Sequence, residues 1–395
     1  PAGRGFESSF ALTTGSALHL TPADGGAHGG VPRADPLVFR ENWDIVNELP
    51  PDYFSTETFT DKIIGYIDEN LDDGRPFFAY LAYSAPHWPL QVPEDWRDRF
   101  ADQYDAGYDV FRERRVSRAS ELGVLPTAPD MQSYSRGSTP WDALGTAERE
   151  RQARAMEIYA AMVANMDFHV GRLLDRLRDA NELENTFIFF MSDNGADGSY
   201  DRAIASSYNN SLDNMGNRDS YILYGRGWAE AAMAPFRDVK GAMAEGGVRA
   251  AAFANHSSLQ NAGSVSQEYL TTQDVMPTLL EVAGVEHPGS VFDDRSVLPM
   301  RGSSILGHLR GEAEGVREAG EAIGWELHGQ RALVRDDWKL LWTRRTDGPL
   351  RWELFDMAND PYERNDLIAQ RPEIADELIA AWQSYVDEVG VVVGD

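Results

Sequence analysis

Three short polar stretches hold the side chains best suited to chemistry. Ser192-Asp193-Asn194-Gly195 comes directly after the apolar run Asn185 to Met191 (NTFIFFM). A carboxylate beside an amide carbonyl offers hard oxygen donors of the kind Ca2+ or Mg2+ takes, and the following glycine permits a turn that aims both at one ion. Asp-Asn-Gly also suits a plain hairpin turn, and the local sequence leaves both readings open. The second stretch, Ser84-Ala85-Pro86-His87-Trp88-Pro89, follows the run Pro76 to Tyr83 (PFFAYLAY). Its prolines restrict the backbone and Trp88 can pack on the imidazole, so His87 would be held ready to give a proton or a hydrogen bond to a leaving oxygen. A histidine that merely caps the loop is the alternative. The third stretch is Phe236-Arg237-Asp238-Val239-Lys240-Gly241, continued by Glu245-Gly246-Gly247-Val248-Arg249. Lys240, a compact cation beside a glycine, suits a tetrahedral oxyanion; an ordinary solvated lysine is the bland reading.

The first two stretches each follow an apolar run of strand length, as the loops at the carboxyl ends of buried sheet strands do. Between those runs, Glu148 to Ala180 carries Met156, Tyr159, Val163, Met166, Val170, Leu173 and Leu177 at helical spacing, opened by Thr146 as an N-cap. A second helix is expected over Asp274 to Ala283, with Pro277 tolerated in its first turn and Gly284 as its left-handed stop. Strands alternating with helices predict an α/β fold with a doubly wound, mostly parallel sheet. Toward the end the character changes. Arg331 to Val334, Trp338 to Trp342 and Trp352 to Phe355 read as an antiparallel meander, and Ile374 to Val386, after Pro372, as an amphipathic helix. A catalytic body over 1–319 and a small α+β subdomain of antiparallel sheet plus helix over 320–395 are the expected division, with the boundary in the polar stretch Gly311 to Glu321.

The bulk numbers bound the partners. With 64 acidic against 36 basic residues among 395, the chain carries a formal charge of −28. That field repels phosphate backbones and anionic bilayers, so neither nucleic acid nor a membrane surface is an expected partner. No apolar run approaches the roughly 20 residues of a membrane helix. Cysteine is absent, which excludes disulfides, thiolate zinc sites and a cysteine nucleophile within this chain and leaves the redox compartment open.

Taken together, Ala85-Pro86-His87-Trp88-Pro89, Phe190-Met191-Ser192-Asp193-Asn194-Gly195, Lys240-Gly241 and Glu245-Gly246-Gly247-Val248-Arg249 resemble the sulfatase family of the alkaline-phosphatase-like superfamily, bacterial arylsulfatases above all. Further stretches agree across the chain: Gly3-Arg4-Gly5-Phe6, Asp274 to Leu280, Trp338-Lys339-Leu340, Glu353-Leu354-Phe355-Asp356 and Asn359-Asp360-Pro361-Tyr362-Glu363. The resemblance implies a sulfuric ester hydrolase that releases inorganic sulfate from an aryl or other sulfate ester. Asp193 and Asn194 would be ligands of a divalent cation, Ca2+ with Mg2+ as the alternative. Lys240 would contact the sulfate oxygens, and His87 would bind sulfate or assist the departing alcohol. It also places Tyr200 to Trp228 at the substrate mouth, and such enzymes in the bacterial cytoplasm or periplasm.

The departures matter as much. In the family a C/S-x-P-x-R motif supplies the formylglycine nucleophile and a pair of aspartates completes the metal shell; neither is found here, and an upstream segment is expected to carry them. The chain taken alone is therefore expected to lack sulfatase turnover. A phosphonate or phosphodiester hydrolase of the same superfamily, or a non-catalytic fragment that binds a sulfated ligand or complements another polypeptide, are the competing readings.

Overall fold

A computed structural model of the chain describes residues 1–13, 17–21, 39–127, 129, 131, 137–199, 207–260, 262–344 and 348–392. It divides into two compact units that interleave along the sequence, one of Pro1–Arg114, Gly137–Leu183 and Asp197–Ala232, the other of Arg115–Arg136, Glu184–Ala196 and Met233–Asp395.

The first unit carries a small antiparallel sheet in the order β1 (Phe10–Leu12), β2 (Phe39–Glu41), β3 (Asp44–Val46). Its apolar face gathers Phe39, Leu49 and Tyr53, with Phe10 against them. Helix α1 (Ser55–Asn70) packs against the long helix α3 (Thr146–Asp179), and α2 (Gly107–Glu121) lies between them in sequence. The periodic run in α3 fulfils the expected helix, except that Gly145 occupies the N-cap and Thr146 is already helical. The last large element here is α4 (Arg226–Met233), built around Trp228. That indole is fully buried and makes edge-on contacts with Tyr104, Tyr108 and Phe111 at 5.5, 5.7 and 5.7 Å between ring centroids. Gly227 is required beside it, because a Cβ there would stand 2.4 Å from the Tyr108 ring.

In the second unit β4 (Ile188–Met191) pairs with β5 (Ala252–Asn255), Phe190 stacking on Phe253 at 4.8 Å. A hairpin of β6 (Val291–Phe292) and β7 (Arg295–Ser296) follows α5 (Val275–Ala283), which stops at Gly284 with φ 64°. The C-terminal part is a four-stranded antiparallel sheet, β11-β10-β9-β8, formed by β8 (Ala322–Leu327), β9 (Gln330–Arg335), β10 (Trp338–Thr343) and β11 (Arg351–Asp356). Helix α6 (Pro372–Val389) covers it, with Pro372 in its first turn as a proline is tolerated. Strand phase decides what each face holds. Leu333, Leu340 and Leu354 point to Leu378 and Trp382 of α6. Ala332, Leu341 and Phe355 point the other way, onto Met243 and Ala244.

The fold is mixed α/β with a β-rich C-terminal part, and the expected meander and final helix are present, with β8 added to them. The expectation of a mostly parallel sheet needs correction for the described residues, whose paired strands are all antiparallel. Pro76 to Tyr83 is not a strand; the segment makes no ladder, and Phe78 and Tyr80 are 62% and 69% exposed. Apolar composition is shared by a laddered strand and by an extended segment without a neighbour, and only pairing separates them. Among the described residues no helix is long and apolar enough to cross a membrane.

Candidate active site

The Ser192–Gly195 turn leaves β4 and is clamped by the loop that carries Lys240. Gly195 donates its amide to the Gly247 carbonyl at 3.1 Å, and Lys240 donates its amide to the Ala196 carbonyl at 3.0 Å. The clamp works only with glycines. A Cβ on Gly195 would lie 2.0 Å from the Gly246 carbonyl oxygen, one on Gly246 2.1 Å from that of Asp238, and one on Gly247 2.1 Å from that of Ala242. Gly241, next to Lys240, has φ 91°, a left-handed conformation that explains the Lys-Gly pair.

Within the turn, Asn194 donates Nδ2–H to the Gly195 carbonyl at 2.9 Å, which leaves its Oδ1 available as an acceptor. The Asp193 side chain is exposed, and among the described residues nothing donates to its carboxylate. Two uncommitted hard oxygens on one turn fit a divalent cation in donor type. They are a partial shell, and the described residues hold no group of three or more acidic or histidine side chains able to complete one.

The loop from Arg237 to Arg249 is anchored from below by a buried ionic network. Lys339 of β10 is fully buried and places Nζ 2.7 Å from Glu245 Oε1 and 2.7 Å from Glu363 Oε1. Glu245 also meets Arg249 at 2.9 Å, and its backbone amide donates to Glu363 Oε2 at 3.0 Å. Arg237 reaches Glu353 at 3.0 Å and Glu363 at 3.5 Å. Burial disfavours the Lys339 ammonium, yet the adjoining carboxylates Glu245 and Glu363 hold its pKa above the ordinary value. Burial likewise opposes charge on Glu245, where Lys339 and Arg249 win and lower its pKa; on Glu363 burial wins and the carboxyl is raised.

His87 is built into the first unit. Its loop has cis bonds at Ala85–Pro86 and Trp88–Pro89 and is pinned by residues that sequence reasoning did not single out. His19, 1% exposed, accepts from Ser55 Oγ at 2.8 Å through Nδ1 and donates from Nε2 to the His87 carbonyl at 2.8 Å. Burial pushes its pKa down to about 4, so the ring is neutral and that donor pattern is fixed. Gln91 Oε1 accepts the His19 amide at 2.9 Å, and its Nε2 donates to the Ser220 carbonyl at 3.0 Å. The His87 imidazole lies against Trp88, with Asp197 facing it.

Of the four residues expected in the site, Asp193, Asn194 and Lys240 thus stand on adjoining loops of the second unit, and His87 in the first. In the stretch expected at the substrate mouth, residues 200–206 lie outside the described residues, and Trp228 is a core residue rather than a lining one. Lys339 and Glu363 fall within quoted motifs whose ion pairing no local pattern announces. Asp197 and His19 had as their only signal a carboxylate shortly after Asp-Asn-Gly and a histidine near the start.

Comparison with known proteins identifies the family. The Sulfatase family model matches residues 2–285. An uncharacterized sulfatase of Schizosaccharomyces pombe is 38% identical over 405 residues, covering 99% of this chain and 72% of that protein. An arylsulfatase of Klebsiella aerogenes is 31% identical over 312 residues, covering 77% of this chain and 66% of its own length. The crystal structure of Ps i-CgsB superposes with a TM-score of 0.63 at 19% identity, over 98% of this chain and 67% of that one. A structure solved with its substrate D-glucosamine-2-N,6-O-disulfate superposes with a TM-score of 0.55 at 20% identity, over 97% and 76%. The chain thus spans between about two thirds and three quarters of each of these proteins. By its matched motifs, its fold and its relatives, the chain belongs to the sulfatase family of the alkaline-phosphatase-like superfamily.

Proposed function

We propose that the chain serves the hydrolysis of a sulfate ester, an aryl sulfate in the first instance, with release of inorganic sulfate. The observation that supports this reading is the backbone clamp between the Asp-Asn-Gly turn and the loop that carries Lys240. Asp193 and Asn194 Oδ1 would hold a divalent cation, Ca2+ or Mg2+, which supplies Lewis-acid offset for the charge on the transferring group. Lys240 would meet a sulfate oxygen as a point charge, and its backbone bond to Ala196 keeps it at the turn. His87, fixed by Trp88 and by the neutral His19, would supply a proton or hydrogen bond to the oxygen of the departing alcohol. The arylsulfatase of Klebsiella aerogenes among its relatives supports the choice of an aryl ester.

No C/S-x-P-x-R sequence occurs in the 395 residues, so no nucleophile of the formylglycine type is supplied by them. The chain by itself is predicted to bind sulfate but not to turn over 4-nitrophenyl sulfate. Two measurements test this. Calorimetric titration with sulfate in the presence of Ca2+ should show binding that Lys240→Ala weakens by about tenfold, the loss of one charge-assisted contact. Equal binding by both proteins would remove the anion site from this loop, and robust hydrolysis by the chain alone would refute the assignment of the nucleophile elsewhere. With a nucleophile-bearing segment supplied, hydrolysis of a phenylphosphonate monoester measured beside the aryl sulfate separates the phosphorus-ester alternative.

A further inference from the structure

Asn194-Gly195 is the only Asn-Gly pair among the 395 residues, and it stands where the clamp closes. In an open chain this pair is the one most given to spontaneous deamidation, because glycine puts no side chain in the way of its own amide and leaves the backbone free to fold back. The Gly195 nitrogen bonds to Asn194 Cγ as its N–H proton leaves, the Cγ–Nδ2 bond breaks, and Nδ2 departs as ammonia. Water then opens the cyclic imide at either carbonyl, giving aspartate or isoaspartate at position 194. In the fold, each group that this reaction must use is committed. Gly195 N–H donates to the Gly247 carbonyl at 3.1 Å, so the attacking nitrogen is held to a carbonyl of another loop. Asn194 Nδ2–H donates to the Gly195 carbonyl at 2.9 Å, which holds the side-chain amide that must turn to receive the attack. Gly195 is buried, and the Gly246 carbonyl oxygen lies where a Cβ on Gly195 would stand 2.0 Å from it. Bringing the Gly195 nitrogen onto Asn194 Cγ requires rotation about the bonds that lead into Gly195, which breaks both hydrogen bonds and drives Gly195 against the Gly246-Gly247 backbone.

We propose that Asn194 is a latent deamidation site which the clamp by Gly246 and Gly247 keeps unreactive, so that reaction there proceeds only through opening of the turn. The close backbone approach that shapes the turn thereby also preserves its amide. If Asn194 holds a cation as proposed above, reaction would exchange a neutral donor for a carboxylate and, in isoaspartate, insert a methylene into the main chain. The protection itself does not depend on that reading.

The whole chain, kept at mildly alkaline pH either in buffer or in denaturing guanidinium chloride, is sampled over time, digested with pepsin and mapped by mass spectrometry that separates aspartate from isoaspartate at position 194. In guanidinium, Asn194 should react faster than the other asparagines. In the folded protein it should react at least about tenfold more slowly than in guanidinium, since the rate is scaled by the fraction of molecules in which the turn is open. Rates that agree within about twofold overturn the proposal. Gly247→Ala brings a Cβ to 2.1 Å from the Ala242 carbonyl oxygen and displaces the carbonyl that holds Gly195. The folded variant should deamidate at Asn194 several-fold faster than folded wild type, and an unchanged rate would show that the clamp is not what protects the pair. If the variant does not fold, hydrogen exchange at the Gly195 amide of wild type decides the same point. Exchange and deamidation should both be slow in buffer and quicken together as guanidinium is added below the unfolding transition, because one opening exposes both; fast exchange beside slow deamidation overturns the proposal.

Discussion

Lys339→Met is the most demanding perturbation of this protein. The methionine matches the lysine stem in length and fits the strand, so the change removes charge and little volume. What remains is Glu245 and Glu363, both buried, without the ammonium that stands 2.7 Å from each. Breaking a buried pair by removing one partner costs about 3–5 kcal/mol. Arg249 still meets Glu245 at 2.9 Å and Arg237 still approaches Glu363 at 3.5 Å, which puts the expected loss near the lower end, about 3 kcal/mol. The cost should also depend on pH. Without Lys339 the folded-state pKa of a buried carboxyl rises above its unfolded value, so the penalty is fully present at neutral pH and shrinks as acidification lets the carboxyl take up a proton. Urea unfolding of wild type and variant, followed by tryptophan fluorescence at pH 8, 7 and 5.5, measures this. Replacing the carboxylates as well, in Lys339→Met with Glu245→Gln and Glu363→Gln, should recover part of the loss because amides are cheaper to bury than unpaired charges. A cost under about 0.5 kcal/mol, or one that grows on acidification, would refute the network as described.

His19 makes stability itself sensitive to acid. Its folded pKa of about 4 lies below the ordinary 6.5, so above the ordinary value neither state binds the proton and stability is flat. Between those two values the unfolded chain takes up a proton that the folded chain refuses, and stability should fall by about 3 kcal/mol in all; unfolding of His19→Gln over the same range should show a shallower slope. Gly195→Ala drives a Cβ into the Gly246 carbonyl, and the two loops must part. Sulfate affinity should drop tenfold or more, in line with one lost charge-assisted contact, while the near-UV signal of the C-terminal sheet persists; unimpaired sulfate binding would show that the clamp is dispensable. Trp228→Ala empties the centre of an aromatic cluster and should cost about 3–5 kcal/mol in thermal or urea unfolding.

How much of this was legible in the sequence depended on whether the signal was local. The C-terminal sheet was, because Trp338 to Trp342 and Trp352 to Phe355 are short aromatic and aliphatic runs bounded by charged turns such as Asp336-Asp337, a local signal of strand and turn. The long helix was as well, though its cap was not: Thr146 has the side chain of an N-cap, and the chain places Gly145 there instead. Pairing is a non-local property, and there composition misled. Pro76 to Tyr83 and Ile188 to Met191 are almost equally apolar, yet only the second finds a partner strand. The candidate site shows the same division. Asp193, Asn194, His87 and Lys240 are visible as unusual residues in constrained loops, whereas Lys339 looks like one more charge in a β-strand. Only strand phase, which turns it to the same face as Leu341, and a glutamate nearly a hundred positions away reveal its burial.

That buried lysine also changes what the C-terminal sheet is for. A subdomain that merely completes a core would meet its neighbours through apolar contacts such as Phe355 against Met243, which tolerate small slides of one element over another. Ion pairs between fully buried partners do not, since a shift of an ångström leaves charge unmatched in a medium that screens it poorly. Lys339 and Glu363 fix Glu245 by two contacts at 2.7 and 3.0 Å, and Glu245 begins the turn whose Gly246 and Gly247 carbonyls confine Gly195. The position of Asp193 and Asn194 is therefore determined through rigid backbone contacts by residues some 150 places later in the chain. Shape at the Ser192–Gly195 turn and integrity of the last sheet are one property, so that damage to the second should be felt first as lost geometry at the first.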